Sequence, residues 1–148
     1  MACDYEKREY PETPLVGVGA VILDQGRVVL VKRKFPPLAG DWSIPGGRLK
    51  IGETLREGVV REAREETGLT VDPVELLGVY DRLLRDEAGR ILYHYVLIDF
   101  LCRRLTGELQ ASGDADDARW FSPEEIEKVS LVADTAQVIR LGFEKVGK

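Results

Sequence analysis

The chain has 148 residues, the size of one domain, and a domain of this length buries on the order of 70% of its unfolded surface. Its 21 basic and 26 acidic residues leave a net charge of -5, which excludes a surface that grips nucleic acid backbone broadly; an anionic small molecule would need a local cation or a metal. Cys3 and Cys102 lie far apart without paired spacing, which supports neither a disulfide framework nor a zinc site and fits a reducing compartment.

The start, MACDYEKREYPETP, is too polar for a signal peptide, and the longest apolar run, around 16–23, is too short to span a bilayer. The expectation is a soluble cytoplasmic protein with no membrane and no nucleic acid polymer among its partners. Residues 1–13 read as an N-terminal tail and 14–148 as a single domain without internal repeats. LVGVGAVIL, 15–23, is continuously apolar and β-branched, which predicts a central strand covered on both faces. Asp24, Gln25 and Gly26 then turn the chain into RVVLVKRK, a strand that becomes basic at Lys32, Arg33 and Lys34. FPPLAGDWSIPGG, 35–47, is a loop rich in proline and glycine.

A helix follows, bounded by chemistry. Thr54 with Glu57 three residues later forms a capping box, and Gly68 suits a left-handed C-terminal cap. Beyond it, VELLGVYDRLL and RILYHYVLIDFLCRRL predict two strands joined by a turn at 86–89, and DARWF a further short strand. Ser122 and Pro123 open another helix, and Ala136, Ile139, Phe143 and Val146 mark one face of a last one. Strands interrupted by one helix and closed by others predict an α/β fold with a mixed sheet packed between helices.

The helix after Thr54 holds the chemistry. At about 100° per residue, Leu55, Val59 and Ala63 share a buried stripe, and Glu62 and Glu66 fall inside or at its margin with Glu65 beside them. An ordinary solvated face would place the acids opposite that stripe, where Glu57 and Arg64 sit. Carboxylates spaced i, i+3, i+4 can form half a shell for a hard divalent cation such as Mg²⁺; a surface stripe of salt bridges is the plain alternative. Gly58, one turn earlier, leaves space where a ligand could approach. Lys32 and Arg33 end a strand before the glycine loop, facing phosphates or solvent. Tyr93, Tyr95 and Phe100 line a base pocket or fill the core, and His94 reads as structural.

Gly47, Glu53, Arg61-Glu62, Ala63, Glu65-Glu66, Gly68 and Leu69 stand at the spacing of a full Nudix box over 47–69, so the chain resembles the Nudix hydrolases. The resemblance implies that family's α/β/α sandwich and hydrolysis of a nucleoside diphosphate linked to another moiety, with Mg²⁺ or Mn²⁺ as cofactor. It implies that Glu62, Glu65 and Glu66 hold metal together with the backbone of Gly47, and that Arg61 orients Glu53 or Glu65 by a salt bridge. Glu65 is the first candidate for general base and Asp114 the second. Arg33, Gly46 and Arg48 become candidates for binding a nucleotide-derived substrate, and a homodimer would be ordinary for the family. The layout is similar to small ADP-ribose pyrophosphatases, but it departs from them where a proline is expected and Leu83, Leu84 and Arg85 stand. ADP-ribose therefore leads narrowly over nucleoside triphosphates, oxidised ones included. A non-catalytic nucleotide-binding module is a third reading, which retention of every box carboxylate disfavours.

Overall fold

The computed structural model describes residues 8–34 and 40–147. Cys3 and the middle of the loop after the second strand, 35–39, lie outside them. Among the described residues the chain forms β1 (Leu15–Asp24), β2 (Arg27–Arg33), β3 (Trp42–Ser43), β4 (Gly46–Arg48), α1 (Leu55–Thr67), β5 (Thr70–Arg85), β6 (Ile91–Thr106), β7 (Ala115–Phe121), α2 (Pro123–Ile126) and α3 (Ala133–Val146). The sheet runs β3-β2-β1-β6-β5, with β4 also on β1 and β7 on β2.

β1 is central, as its uninterrupted apolar run requires. It pairs in parallel with β6 from Leu15↔Tyr95 to Leu23↔Arg103, and antiparallel with β4 through Gly17↔Arg48, Val18↔Gly47 and Gly19↔Gly46. At its other end Leu23↔Val28 and Asp24↔Arg27 close the hairpin into β2. Gln25 (φ 49°) and Gly26 (φ 75°) both adopt left-handed backbone, which a two-residue hairpin loop of matching twist demands. The expected turn between the long strands holds Gly89 at φ 84°.

Alternation along β1 splits the core into two layers. Val18, Ala20 and Ile22 face α1, where Val59 and Ala63 are completely buried; Val21 and Leu23 face α3, where Val138 and Ile139 are. The mixed sheet therefore lies between helices. No helix of the described residues is long and apolar enough to cross a membrane.

The α1 boundaries agree with the chemistry that predicts them. The Thr54 hydroxyl accepts from Glu57 N–H, the Glu57 carboxylate accepts from Thr54 N–H, and Gly68 at φ 75° donates its N–H to Arg64 O. Ser122 and Glu125 form the same box at α2, though that helix lasts only four residues. The face of α3 differs from the apolar pattern in the sequence. Its buried positions are Thr135, Val138, Ile139 and Gly142, while Val146 is exposed. A Cβ on Gly142 would meet Val21 at 2.8 Å, so the helix sits on the sheet at a residue that hydropathy does not mark.

Arg8, Glu9 and Tyr10, within the expected tail, are docked on the β5–β6 hairpin. Tyr10 N–H donates to Leu92 O at 2.9 Å, its hydroxyl to Asp86 at 2.8 Å, and Arg90 lies over its ring at 4.8 Å.

Candidate active site

β4 carries the loop glycines past α1. Gly46 N–H donates to the Glu66 carboxylate at 2.9 Å, and a Cβ on Gly47 would stand 2.6 Å from the carboxylate of Glu62. A Cβ on Gly46 would lie 2.3 Å from Val18 O. Gly46 admits no side chain against the β1 backbone, and one at Gly47 would push the Glu62 carboxylate aside.

Arg61 organises the acids. Its Nε and Nη2 donate to both oxygens of Glu53 at 2.5 and 2.9 Å, its Nη1 to Glu62 at 2.6 Å and to Glu65 at 3.3 Å, and its Nη2 to Arg48 O at 3.0 Å. The orienting role therefore spans Glu53, Glu65 and Glu62 at once. Such a fork suits guanidinium geometry. Gly58 belongs to this arrangement and not to a ligand path: a Cβ there would meet Leu49 at 2.8 Å and the Glu53 carboxylate at 3.2 Å. Its missing side chain leaves room for Leu49 first and then for the Glu53 carboxylate.

Glu62 and Glu66 are buried, as their place at the stripe margin predicts, whereas Glu65 is exposed. Burial and then the charge of Glu62 push the Glu66 carboxyl up to about 8, against the Gly46 N–H and the nearby Arg33. Burial also raises Glu62, opposed by its bond to Arg61, and the same guanidinium holds Glu53 below the usual carboxylate range. Among the described residues no three acidic, histidine or cysteine side chains converge as a closed metal cluster, since Glu62 and Glu65 are drawn to Arg61 and Glu66 to Gly46. The donor set nevertheless fits a hard cation: oxygen donors only, two of them on buried carboxylates and Glu66 without an ion pair among the described residues.

The loop of 112–114 borders the cluster from the other side. Ser112 donates its hydroxyl to Glu65 O and its N–H to Glu66 O at 3.2 Å, and Lys34 N–H donates to Asp114 O at 3.1 Å. Asp114 is exposed, and its charge adds to the upward push on Glu66. Both candidate bases thus flank one group of carboxylates.

Gly46 and Gly47 also line a pocket on the α3 side of the sheet, and Arg33 and Arg48 stand at its wall. The three candidate substrate-binding residues are therefore brought together. Lys32 instead faces solvent. Of the three aromatics, Tyr95 lines the pocket, while Tyr93 and Phe100 are core residues. His94 is half-buried opposite Leu83.

Sequence reasoning missed Arg82, Asp99 and Asp134, which line the same pocket, and Arg8 beside them. One signal was available for Asp99. It is the only charge in the otherwise apolar stretch VLIDFLC.

The sequence profile of the NUDIX domain matches residues 13–141. The chain belongs to the Nudix family. It is 39% identical over 118 residues to the ADP-ribose pyrophosphatase of Methanocaldococcus jannaschii, an alignment that covers 80% of this chain and 68% of that protein. It is 29% identical over 153 residues to an 8-oxo-dGDP phosphatase of Mus musculus, covering 95% of this chain but only 45% of that protein. The crystal structure of a MutT NUDIX hydrolase from Burkholderia pseudomallei superposes with a TM-score of 0.75 at 31% identity, over 88% of this chain and 98% of that one. The Nudix chain described here is accordingly a hydrolase of the pyrophosphatase type, and Arg61, Glu62, Glu65 and Glu66 occupy the box positions of its α1.

Proposed function

We propose that the protein hydrolyses the pyrophosphate bond of a nucleoside diphosphate linked to another moiety, with ADP-ribose as the leading substrate and AMP and ribose 5-phosphate as products. The observation that carries this reading is the sharing of Gly46 and Gly47 between the carboxylate cluster and the pocket. A diphosphate at these glycines lies beside the acids while the rest of the molecule enters the pocket. The name of the Methanocaldococcus jannaschii relative supports ADP-ribose.

Glu62, Glu65, Glu66 and the backbone of Gly47 would hold Mg²⁺ or Mn²⁺. When bound, such a cation neutralises phosphate oxygens and makes water a better nucleophile. The chain's own residues do the rest. Arg33 and Arg48 offer positive charge to the diphosphate, and Arg61 keeps Glu53, Glu62 and Glu65 in place. As water attacks one phosphorus and the bridging P–O bond breaks, an exposed carboxylate takes the water's proton. Glu65 is our first assignment for that base and Asp114 the second.

A second reading, hydrolysis of nucleoside triphosphates including oxidised ones, is favoured by Leu83, Leu84 and Arg85 in place of the expected proline and by the mouse 8-oxo-dGDP phosphatase. Release of AMP or phosphate from ADP-ribose, nucleoside triphosphates and their 8-oxo forms, with Mg²⁺ and then with chelator, separates the readings. We expect ADP-ribose to be cleaved fastest and chelator to abolish turnover. No cleavage of any substrate would leave a nucleotide-binding module in place of an enzyme.

A further inference from the structure

The pocket beside the glycines contains a buried carboxyl that accepts no hydrogen bond from any of the described residues. Asp99 lies on β6 with only 7% of its surface exposed, and among the described residues it has no hydrogen bond and no ion pair. A desolvated carboxyl without a donor costs several kcal/mol unless another group meets it, so native proteins seldom keep one idle.

The surroundings show how it stays open to the pocket. Asp99 pairs with Gly19 on β1 and Gly78 on β5, so glycine flanks it on both neighbouring strands. A Cβ on Gly19 would stand 2.3 Å from Asp99 Oδ1 and 2.8 Å from Ile44 Cδ1. At Gly78 the Tyr80 ring takes the space instead, and a Cβ would meet its hydroxyl at 2.7 Å. Two registers along, Leu97 covers Gly17 in the same manner, with a Cβ there at 2.8 Å from Leu97 Cδ2. Glycine backbone, Ile44 and Leu97 thus make flat apolar walls, and Asp99 and Arg82 are among the polar groups of the same lining. Arg82 likewise has no hydrogen bond or ion pair among the described residues, and burial lowers its guanidinium from the usual range. Asp134 joins them from the first turn of α3.

Flat apolar walls with a hydrogen-bond acceptor among them suit a planar heterocycle with an N–H edge. We propose that Asp99 is a specificity-determining residue that accepts a hydrogen bond from the exocyclic amino group of a purine, with Arg82 donating to an acceptor on the same ring. This assignment rests on the reading of the protein as a hydrolase of nucleoside diphosphate derivatives, and it names the base end of that substrate. Burial pushes Asp99 up to about 7, with the charge of Arg82 opposing and that of Asp134 adding to the shift. Either form of the carboxyl keeps an acceptor oxygen, so the contact does not depend on its protonation.

The test compares ADP-ribose with its analogue carrying unsubstituted purine, and wild type with Asp99→Leu and Asp99→Asn. Wild type should prefer the amino-bearing substrate roughly three- to thirtyfold in kcat/KM, between the values for a neutral and a charged acceptor. Asp99→Leu should erase that preference by raising KM for ADP-ribose alone, with kcat nearly kept; Asp99→Asn, which retains a carbonyl acceptor, should keep part of it. Calorimetric binding of AMP and of purine riboside monophosphate in chelator gives the same comparison without turnover. Should wild type cleave neither diphosphate yet bind AMP more tightly, the catalytic reading fails and the subsite stands. Equal binding of the two monophosphates by wild type, no binding of either, or a preference that survives Asp99→Leu, overturns the assignment.

Discussion

The two ends of the candidate site are built on opposite terms. At the α1 end nearly every charge is met within the protein: Arg61 alone engages Glu53, Glu62, Glu65 and the Arg48 carbonyl, and Glu66 has the Gly46 N–H. At the β6 end Asp99 and Arg82 share a pocket with no hydrogen-bonded partner among the described residues. The first region holds charges in a fixed geometry, and the second keeps capacity in reserve for whatever enters. Preorganised charge serves a bond-breaking step, whereas unspent hydrogen bonds serve selection.

The contrast is broken most strongly at Glu66. Glu66→Gln keeps the shape and the Gly46 contact but removes a carboxyl that can ionise to hold a cation; ADP-ribose hydrolysis should fall by roughly two orders of magnitude or more with circular dichroism unchanged. Arg61→Lys comes next. A lysine cannot reproduce the fork, so Glu53 and Glu62 lose partners in a partly buried setting; denaturant unfolding should show a loss of about 2 kcal/mol and activity should drop roughly tenfold or more.

On the pocket side, Gly19→Ala places a methyl 2.3 Å from Asp99 Oδ1 and 2.8 Å from Ile44. We expect a stability cost of about 1–3 kcal/mol and a raised KM, read by thermal unfolding and steady-state kinetics. The smallest effect is a slope. Because burial lifts Asp99 from 3.8 to about 7, the folded chain retains a proton there that the unfolded chain has lost. Its contribution to stability is therefore fully present below about 3.8 and is lost as pH rises through about 7. Asp99→Asn should flatten this part of the fall in Tm between those limits; an unchanged slope would show that the carboxyl is ionised in the folded protein throughout.

The α1 end was legible in the sequence because its information is local. Thr54, Glu57 and Gly68 are read from neighbours in the chain, and the spacing of Glu62, Glu65 and Glu66 follows from helical rotation. The pocket depends on pairings distant in sequence. That Asp99 meets Gly19 and Gly78 follows from strand register, and two irregularities between Pro73 and Gly78 shift that register in a way no periodicity reveals. The face of α3 was read only in part for a related reason: Ile139 and Phe143 pack on the core as expected, but the helix also seats on Thr135 and Gly142, and neither advertises burial by hydropathy. Gly58 was assigned space for a ligand when Leu49 and Glu53 fill that space, since a missing side chain does not say what fills it.

The Tyr10 anchor has a practical bearing on where such a protein is cut. Its contacts with Asp86, Leu92 and Arg90 fasten the segment that presents Arg8 to the pocket, yet that segment precedes residue 13, where the family match begins. Trimming to the matched boundaries would preserve α1 while stripping a cation from the cavity wall, so a shortened version would give a misleading account of ligand preference.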